Sequence, residues 1–327
     1  MRGKGIAYST GFVVKGENSW PGFDLEVVRR DLAVIRDELH CTAVHLVGGD
    51  PDRLEQAAVL AAGLGLEVWF SPYPLELTAQ EVLDLFADCA ERAERVRASG
   101  AGVVFVAGVE LSIMTRGFIP GETLAERVAR LPAWMAEVPA LLNSFFASAV
   151  PAVRAVFGGR VTYAGIPFEG VDWDLFDVVS LELIRSAEVA DRYAEAIRSV
   201  VAQGKPVAIT GFGTAAWRGS GAVAPRSMEI VEHTDGRPSG IRDGYVRDEG
   251  EQARYLAELL EVFEETGVDS AFVYMFALND FTHRPDEPRR DLDMASPGIV
   301  KVYEDGSWER KEAFAAVAEH YGRTPTG

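Results

Sequence analysis

The chain has 327 residues, 48% hydrophobic and 10% aromatic, enough to bury the core of one large globular domain spanning 1–327. A net charge of −18 argues against a nucleic-acid partner, whose phosphates call for Lys and Arg; the excess of acid reads as a solubilising surface. Two cysteines, Cys41 and Cys89, provide neither a disulfide framework nor a zinc cluster, and no apolar run has the length of a membrane span or the form of a signal peptide, so a cytoplasmic protein without membrane partners is expected.

In chain order, short β-rich apolar runs alternate with longer amphipathic segments. Strands are predicted at 5–12, 42–48, 66–71, 102–109, 160–165, 176–183, 206–211 and 270–276. Between them, helical spacing of apolar residues marks 25–39, 52–64, 79–98, 187–203 and 249–266, with Asp24 and Thr78 at N-cap positions and Gly65, Gly100, Gly204 and Gly267 near the ends. Eight strand–helix units in this length predict an α/β fold of the (β/α)8 barrel type, a TIM barrel; a doubly wound sheet is the rival. Two connections exceed structural need, 110–159 and 212–250, after strands 4 and 7. In a barrel both lie over the C-terminal mouth, where such loops build active sites.

Polar residues that close an apolar strand are therefore the candidates for chemistry. Glu110 ends Val-Val-Phe-Val-Ala-Gly-Val-Glu, Glu182 lies in Val-Val-Ser-Leu-Glu-Leu, and Asn279 and Asp280 follow the eighth run. Glu110 is the candidate general acid/base, since an apolar strand before it and a long loop after it raise a carboxyl pKa. Glu182 and Asp280 are candidate partners; Glu182 paired with Arg185, and Asp280 capping a turn, are their structural alternatives. His45, a core histidine by its setting, is a candidate ligand contact, while Asp50 fits better as the cap of the helix beginning at Pro51. Tyr8, Trp69, Tyr73, Trp217 and Tyr274 are aromatics at or near strand ends on which a ring-shaped ligand stacks. Arg218 and Arg242, in the seventh loop, suit either an anionic ligand or a solvated surface. Asp286, Asp291 and Asp293 lack the spacing of a calcium loop, and no metal or cofactor is expected.

The order of these segments resembles the clan-A glycoside hydrolases. Glu110 matches the position of their fourth-strand acid/base glutamate, although Val109 stands where an Asn is usual. Val171-Asp-Trp-Asp-Leu-Phe-Asp-Val-Val179 resembles the lead into their sixth strand, and Ala271-Phe-Val-Tyr-Met-Phe-Ala-Leu278 their eighth. Met294-Ala-Ser-Pro-Gly-Ile-Val-Lys-Val-Tyr303, followed by Asp305-Gly-Ser-Trp and a terminal helix, is like their closing segment. A narrower resemblance, carried by Glu110-Leu-Ser, Arg116-Gly-Phe-Ile-Pro-Gly121 and Asp291-Leu-Asp-Met-Ala-Ser296, is to uncharacterised actinobacterial proteins labelled abortive-infection proteins. The resemblance implies a nucleophile glutamate at the end of strand 7. Here that strand reads Lys205-Pro-Val-Ala-Ile-Thr-Gly-Phe-Gly213, with Gly211 at the glutamate position, and Thr214-Ala215 stand where the narrower group tends to have two cysteines. The expectation is a repurposed barrel enzyme acting on a small hydroxylated or cyclic metabolite, of the kind met in secondary metabolism, by non-retaining hydrolysis, transfer, elimination or cyclisation. The alternative is a pseudo-glycosidase that only binds.

Overall fold

In a computed structural model describing residues 1–234 and 237–323, eight parallel strands follow one another around a nearly closed barrel. They are β1 (Gly3–Ser9), β2 (Ala43–Gly48), β3 (Glu67–Pro72), β4 (Val103–Val109), β5 (Arg160–Ala164), β6 (Val179–Glu182), β7 (Val207–Phe212) and β8 (Ser270–Val273). The ladder runs β5-β4-β3-β2-β1-β8-β7-β6. The seam between β5 and β6 is bridged by Gly165, which donates to the Ser180 carbonyl at 3.2 Å and accepts from the Glu182 amide at 2.9 Å.

The strands are buried on both faces, as parallel strands wrapped by helices must be. Alternation along each strand sorts the side chains into two cores. Ala43, Trp69, Val104, Val178, Ala208 and Phe272 fill the lumen, whereas Val44, Phe70, Phe105, Val161 and Ile209 face the helices.

The helical layer is set by local signals that were already in the sequence. Asp24 accepts from the Glu26 amide at the start of α1 (Leu25–Asp37), and Asp50 accepts from the amides of Asp52 and Arg53 at the start of α2 (Pro51–Gly63). Thr78 and Glu81 form a reciprocal capping box on α3 (Ala79–Ala98). The connection after β4 holds α4 (Leu111–Met114), α5 (Leu124–Trp134) and α6 (Val138–Arg154). After β6 comes α7 (Ala190–Val201), and after β7 a 3-10 segment, Ser220–Ile230, leads to a hairpin of Val231–Thr234 with Arg237–Ile241. Then come α8 (Glu249–Thr266) and, after β8, α9 (Glu312–Gly322).

Three predicted strands lose three residues at one end in the structure. The first strand stops at Ser9, and residues 13–18 turn back as a small hairpin. The sixth begins at Val179, because 173–175 form a 3-10 turn first. The eighth ends at Val273. No single helix among the described residues is long and apolar enough to cross a membrane.

Candidate active site

Glu110 follows β4 directly, and its backbone has φ +45°. A non-glycine residue in this left-handed region is strained, and such strain tends to be kept where function needs a particular side-chain aim. The turn is produced by a bulge. The pairing of β4 with β5 slips between Val106 and Val109, and Gly108 within the slip has φ +84°, so the bulged strand turns its last residue out of the regular alternation.

The turn is held from behind by a residue that the sequence reading passed over. Glu169 is fully buried and accepts hydrogen bonds from the Ser112 amide at 3.1 Å, the Ser112 hydroxyl at 2.6 Å and the Ile166 amide at 2.9 Å. Tyr163 donates to the same carboxylate at 2.8 Å, while its oxygen accepts from the Leu111 amide at 2.7 Å. The residue after Glu110 is thereby tied to β5 and to the 3-10 turn Pro167–Glu169. The available signal was Pro167-Phe-Glu169 just beyond the fifth strand, a carboxylate close to a strand end.

Glu182 closes β6, and its Cα pairs with that of Gly211 on β7. Gly211 does not have the positive φ that would call for glycine; it is glycine for space. A Cβ there would overlap Glu182 Oε2 and stand 2.8 Å from Cδ and 3.1 Å from Oε1. The Cδ of a glutamate at 211 would itself lie about 2.5 Å from that Cβ, the span of two C–C bonds of about 1.52 Å. The volume next to Gly211 is therefore not vacant: a carboxylate from the neighbouring strand fills it. Arg185, the ion-pair partner expected as an alternative, instead reaches Glu258 at 2.7 Å.

Among the described residues, the electrostatics of the mouth are those of acids without basic partners. Burial, then the charges of Glu182 and Glu169, hold the Glu110 carboxyl well above its ordinary range. Burial raises Glu182 to about 7, opposed by the Thr210 hydroxyl and reinforced by Glu169. Tyr73 and Tyr274 are both raised, by burial first, and both feel Glu110 and Glu182. These four side chains thus share one electrostatic environment at the C-terminal ends of β3, β4, β6 and β8. Phe12 packs edge-on against Tyr73, with ring centroids 4.9 Å apart, and narrows the opening from the β1 side.

The remaining candidates fall elsewhere. Asp280 lies on the rim, exposed, within electrostatic reach of Tyr274, and Asn279 is next to it, half-buried. His45 is in the lumen beneath the mouth, with Nδ1 3.2 Å from the Thr210 carbonyl oxygen. Trp69 lies deeper, against Phe272 at 4.7 Å, its indole donating to Glu67 at 2.7 Å; it is part of the lumen packing rather than the mouth. Tyr8 points away from the lumen, because alternation turns it toward α1, and its hydroxyl donates to Asp31 at 3.0 Å. Trp217 is 7% exposed in the core of the seventh connection and donates to the Ser227 carbonyl at 2.9 Å; a loop this long needs its own apolar anchor. Arg218 and Arg242 are exposed on that connection.

Two other places gather charge. Single ligand atoms of His283, Asp291 and Asp293 lie within 4.8 Å of one another, but Arg247 at 3.0 and 2.7 Å and Lys311 at 2.9 Å already balance the two aspartates. A cleft of about 730 Å³ opens at the opposite end of the barrel among Arg2, Glu55, Glu67 and Arg95. Its charges are paired, Arg95 with Glu55 at 2.7 Å and Arg2 with Glu67 at 2.7 Å.

No protein-family model and no curated protein matches this chain, but solved structures do. A GH113 β-1,4-mannanase is similar over 98% of this chain and 99% of its own, with a TM-score of 0.63 and 17% identity. The GH113 β-mannanase of Alicyclobacillus acidocaldarius gives a TM-score of 0.62 at 16% identity over 98% and 97%. An endo-β-1,4-mannanase from Thermotoga petrophila gives 0.55 at 10% identity over 98% and 76%. At these identities the likeness is one of fold: the chain has a glycoside-hydrolase-like (β/α)8 barrel.

Proposed function

We propose that this protein is a glycosidase-like enzyme that carries out acid/base chemistry on a small, hydroxylated, ring-shaped substrate at the C-terminal mouth, with Glu110 and Glu182 as its two working carboxyls. The observation that carries the reading is the seat of Glu182: its carboxylate lies against Gly211, faces no cation among the described residues, and its charge raises the pKa of Glu110. Two carboxyls whose surroundings push their pKa values apart are fit for opposite roles. Glu110, held protonated, donates to the leaving oxygen. Glu182, titrating near neutrality, accepts a proton from the attacking water or from a substrate hydroxyl.

For a glycoside this is a non-retaining hydrolysis. The exocyclic C–O bond breaks as Glu110 gives its proton to the departing oxygen, and the water oxygen bonds to the anomeric carbon as its proton passes to Glu182. Tyr73 and Tyr274 offer faces and hydroxyls at the same level. The named activity of the mannanase neighbours makes β-1,4-linked manno-oligosaccharides a rational first substrate class, alongside activated aryl glycosides.

The test is turnover of that panel by the wild type, Glu110→Gln and Glu182→Gln, with the anomer of the first product followed by NMR. Loss of turnover in both variants, with folding intact, supports the reading; unchanged turnover in Glu110→Gln overturns it. A binding-only barrel is the second reading, favoured by the closeness of Phe12 to Tyr73 over the mouth. Saturable sugar binding by calorimetry, without turnover of any substrate, would establish that instead.

A further inference from the structure

We infer that His45 is a positioning residue for Glu182, reaching across the lumen from β2 to hold the bulge of β7 on which the Glu182 carboxylate is seated. The inference rests on the reading that Glu182 is a working carboxyl, and it starts from the register of β7. Against β6, Leu181 pairs with Ile209 but Glu182 pairs with Gly211; against β8, Ala271 pairs with Ile209 but Val273 pairs with Phe212. On both sides β7 carries one residue too many, at Thr210–Gly211. Such a bulge bends its strand and re-aims what lies beside it.

Thr210 at this bulge immediately precedes Gly211, against which the Glu182 carboxylate lies, and its carbonyl oxygen is 3.2 Å from His45 Nδ1. β2 and β7 are not neighbours in the ladder, since β1 and β8 stand between them, so this contact crosses the lumen. A carbonyl only accepts, which fixes the proton on Nδ1 and leaves Nε2 as an acceptor. Burial keeps the ring neutral, with a pKa of about 4. The ring is held edge-on to Phe272 at 5.6 Å. Nε2, like the Ser71 hydroxyl on β3, has no protein partner among the described residues.

Packing alone would be served by an apolar side chain, and it would spare the cost of burying an unpaired Nε2. What the imidazole supplies is the N–H that holds the Thr210 carbonyl. With Thr210 fixed, Gly211 presents its bare Cα to Glu182, and the carboxylate remains against β7, where its charge also bears on Tyr73 beyond β3, Tyr274 beyond β8 and Glu110 beyond β4. Without that bond the bulge relaxes, and the carboxylate swings outward toward water.

The test is carboxyl NMR of protein labelled with 13C at glutamate Cδ, with the Glu182 resonance assigned by its loss in Glu182→Gln. In His45→Leu the Glu182 midpoint should fall toward the ordinary carboxylate range, a rise of about tenfold or more in its acid dissociation constant. His45→Asn, whose Nδ2 can stand in for Nδ1, should keep most of the wild-type value. Gly211→Ala, which displaces the carboxylate directly, should reproduce the His45→Leu shift. An unchanged Glu182 midpoint in folded His45→Leu overturns the proposal.

Should His45→Leu not fold, the wild type decides. The His45 ring nitrogen shifts should follow a titration with a midpoint near 7 that disappears in Glu182→Gln, and their failure to do so overturns the proposal equally. None of these measurements needs turnover, so a barrel that only binds would still show the coupling, and the fate of the enzymatic reading is decided separately.

Discussion

At the N-terminal end of the barrel Arg2 lies 2.7 Å from Glu67 and 3.0 Å from Asp269, with Arg160 adding a further contact to Glu67 at 3.3 Å. At the C-terminal end the charge of Glu169 bears on both Glu110 and Glu182, and none of the three forms a salt bridge among the described residues. The pKa directions follow. Asp269 is held below its usual value because hydrogen bonds from Arg2 and Ser270 outweigh its burial, whereas Glu110, Glu169 and Glu182 are all raised. The same residue type is therefore ion-paired at one end and, among the described residues, held without a cation at the other. Paired charges stabilise a fold and stay in one protonation state; unpaired buried carboxyls cost stability and can exchange protons near neutral pH.

The largest effect is expected at Glu110. Glu110→Gln should lower kcat/KM by about 10²–10⁴-fold, the usual contribution of a general acid, measured on whichever glycoside the wild type turns over. Gly211→Glu should give no gain in aryl glycoside hydrolysis, because the new side chain overlaps the Glu182 carboxylate and adds a further unpaired acid to the mouth; brisk hydrolysis would show that position 211 is still the proper seat of the carboxylate.

Stability should respond with opposite signs at the two ends. Glu182 titrates at about 7 in the folded protein against 4.5 ordinarily, so the folded state binds more protons across that interval. Wild-type stability should fall as pH rises from about 4.5 to 7. Glu182→Gln removes this loss and should be more stable than wild type at pH 8, by on the order of 2 kcal/mol, with no such gain at pH 4. Glu67→Gln should lose on the order of 1–2 kcal/mol in urea denaturation, since it leaves Arg2, Arg160 and the Trp69 indole without their carboxylate. It should leave turnover unaltered. The smallest effect is expected at Tyr8→Phe, about 1 kcal/mol for the lost bond to Asp31, with KM unchanged. A raised KM there would put Tyr8 back among the ligand contacts.

Several particulars of the site were legible in the chain. Glu110 and Glu182 close apolar strands, and in a parallel barrel the position after a strand is the mouth by topology. Gly211 was legible as an anomaly but not as a seat, because what fills its side-chain volume comes from residue 182 on the adjacent strand. Tyr8 and Trp217 were misplaced for two reasons. Alternation turns Tyr8 toward α1, and the one-dimensional pattern does not say which parity faces the lumen. Trp217 anchors a connection whose internal core is invisible until it folds. Glu169 was missed because its role depends on Tyr163, Ser112 and Leu111 arriving from β5 and α4.

The eight alternating units, the caps of α1, α2 and α3, the two long connections over the mouth and the acid at the end of β4 can all be read along the chain. These depend on periodicity and short-range hydrogen bonding, which act within a few residues. The tertiary structure alone decided that Glu182 occupies the space at Gly211, that His45 reaches Thr210 across the lumen, and that the carboxyls at one end are left without the arginines present at the other. Those are distances between strands far apart in the chain, set by barrel closure and by two bulges, and no local pattern encodes them.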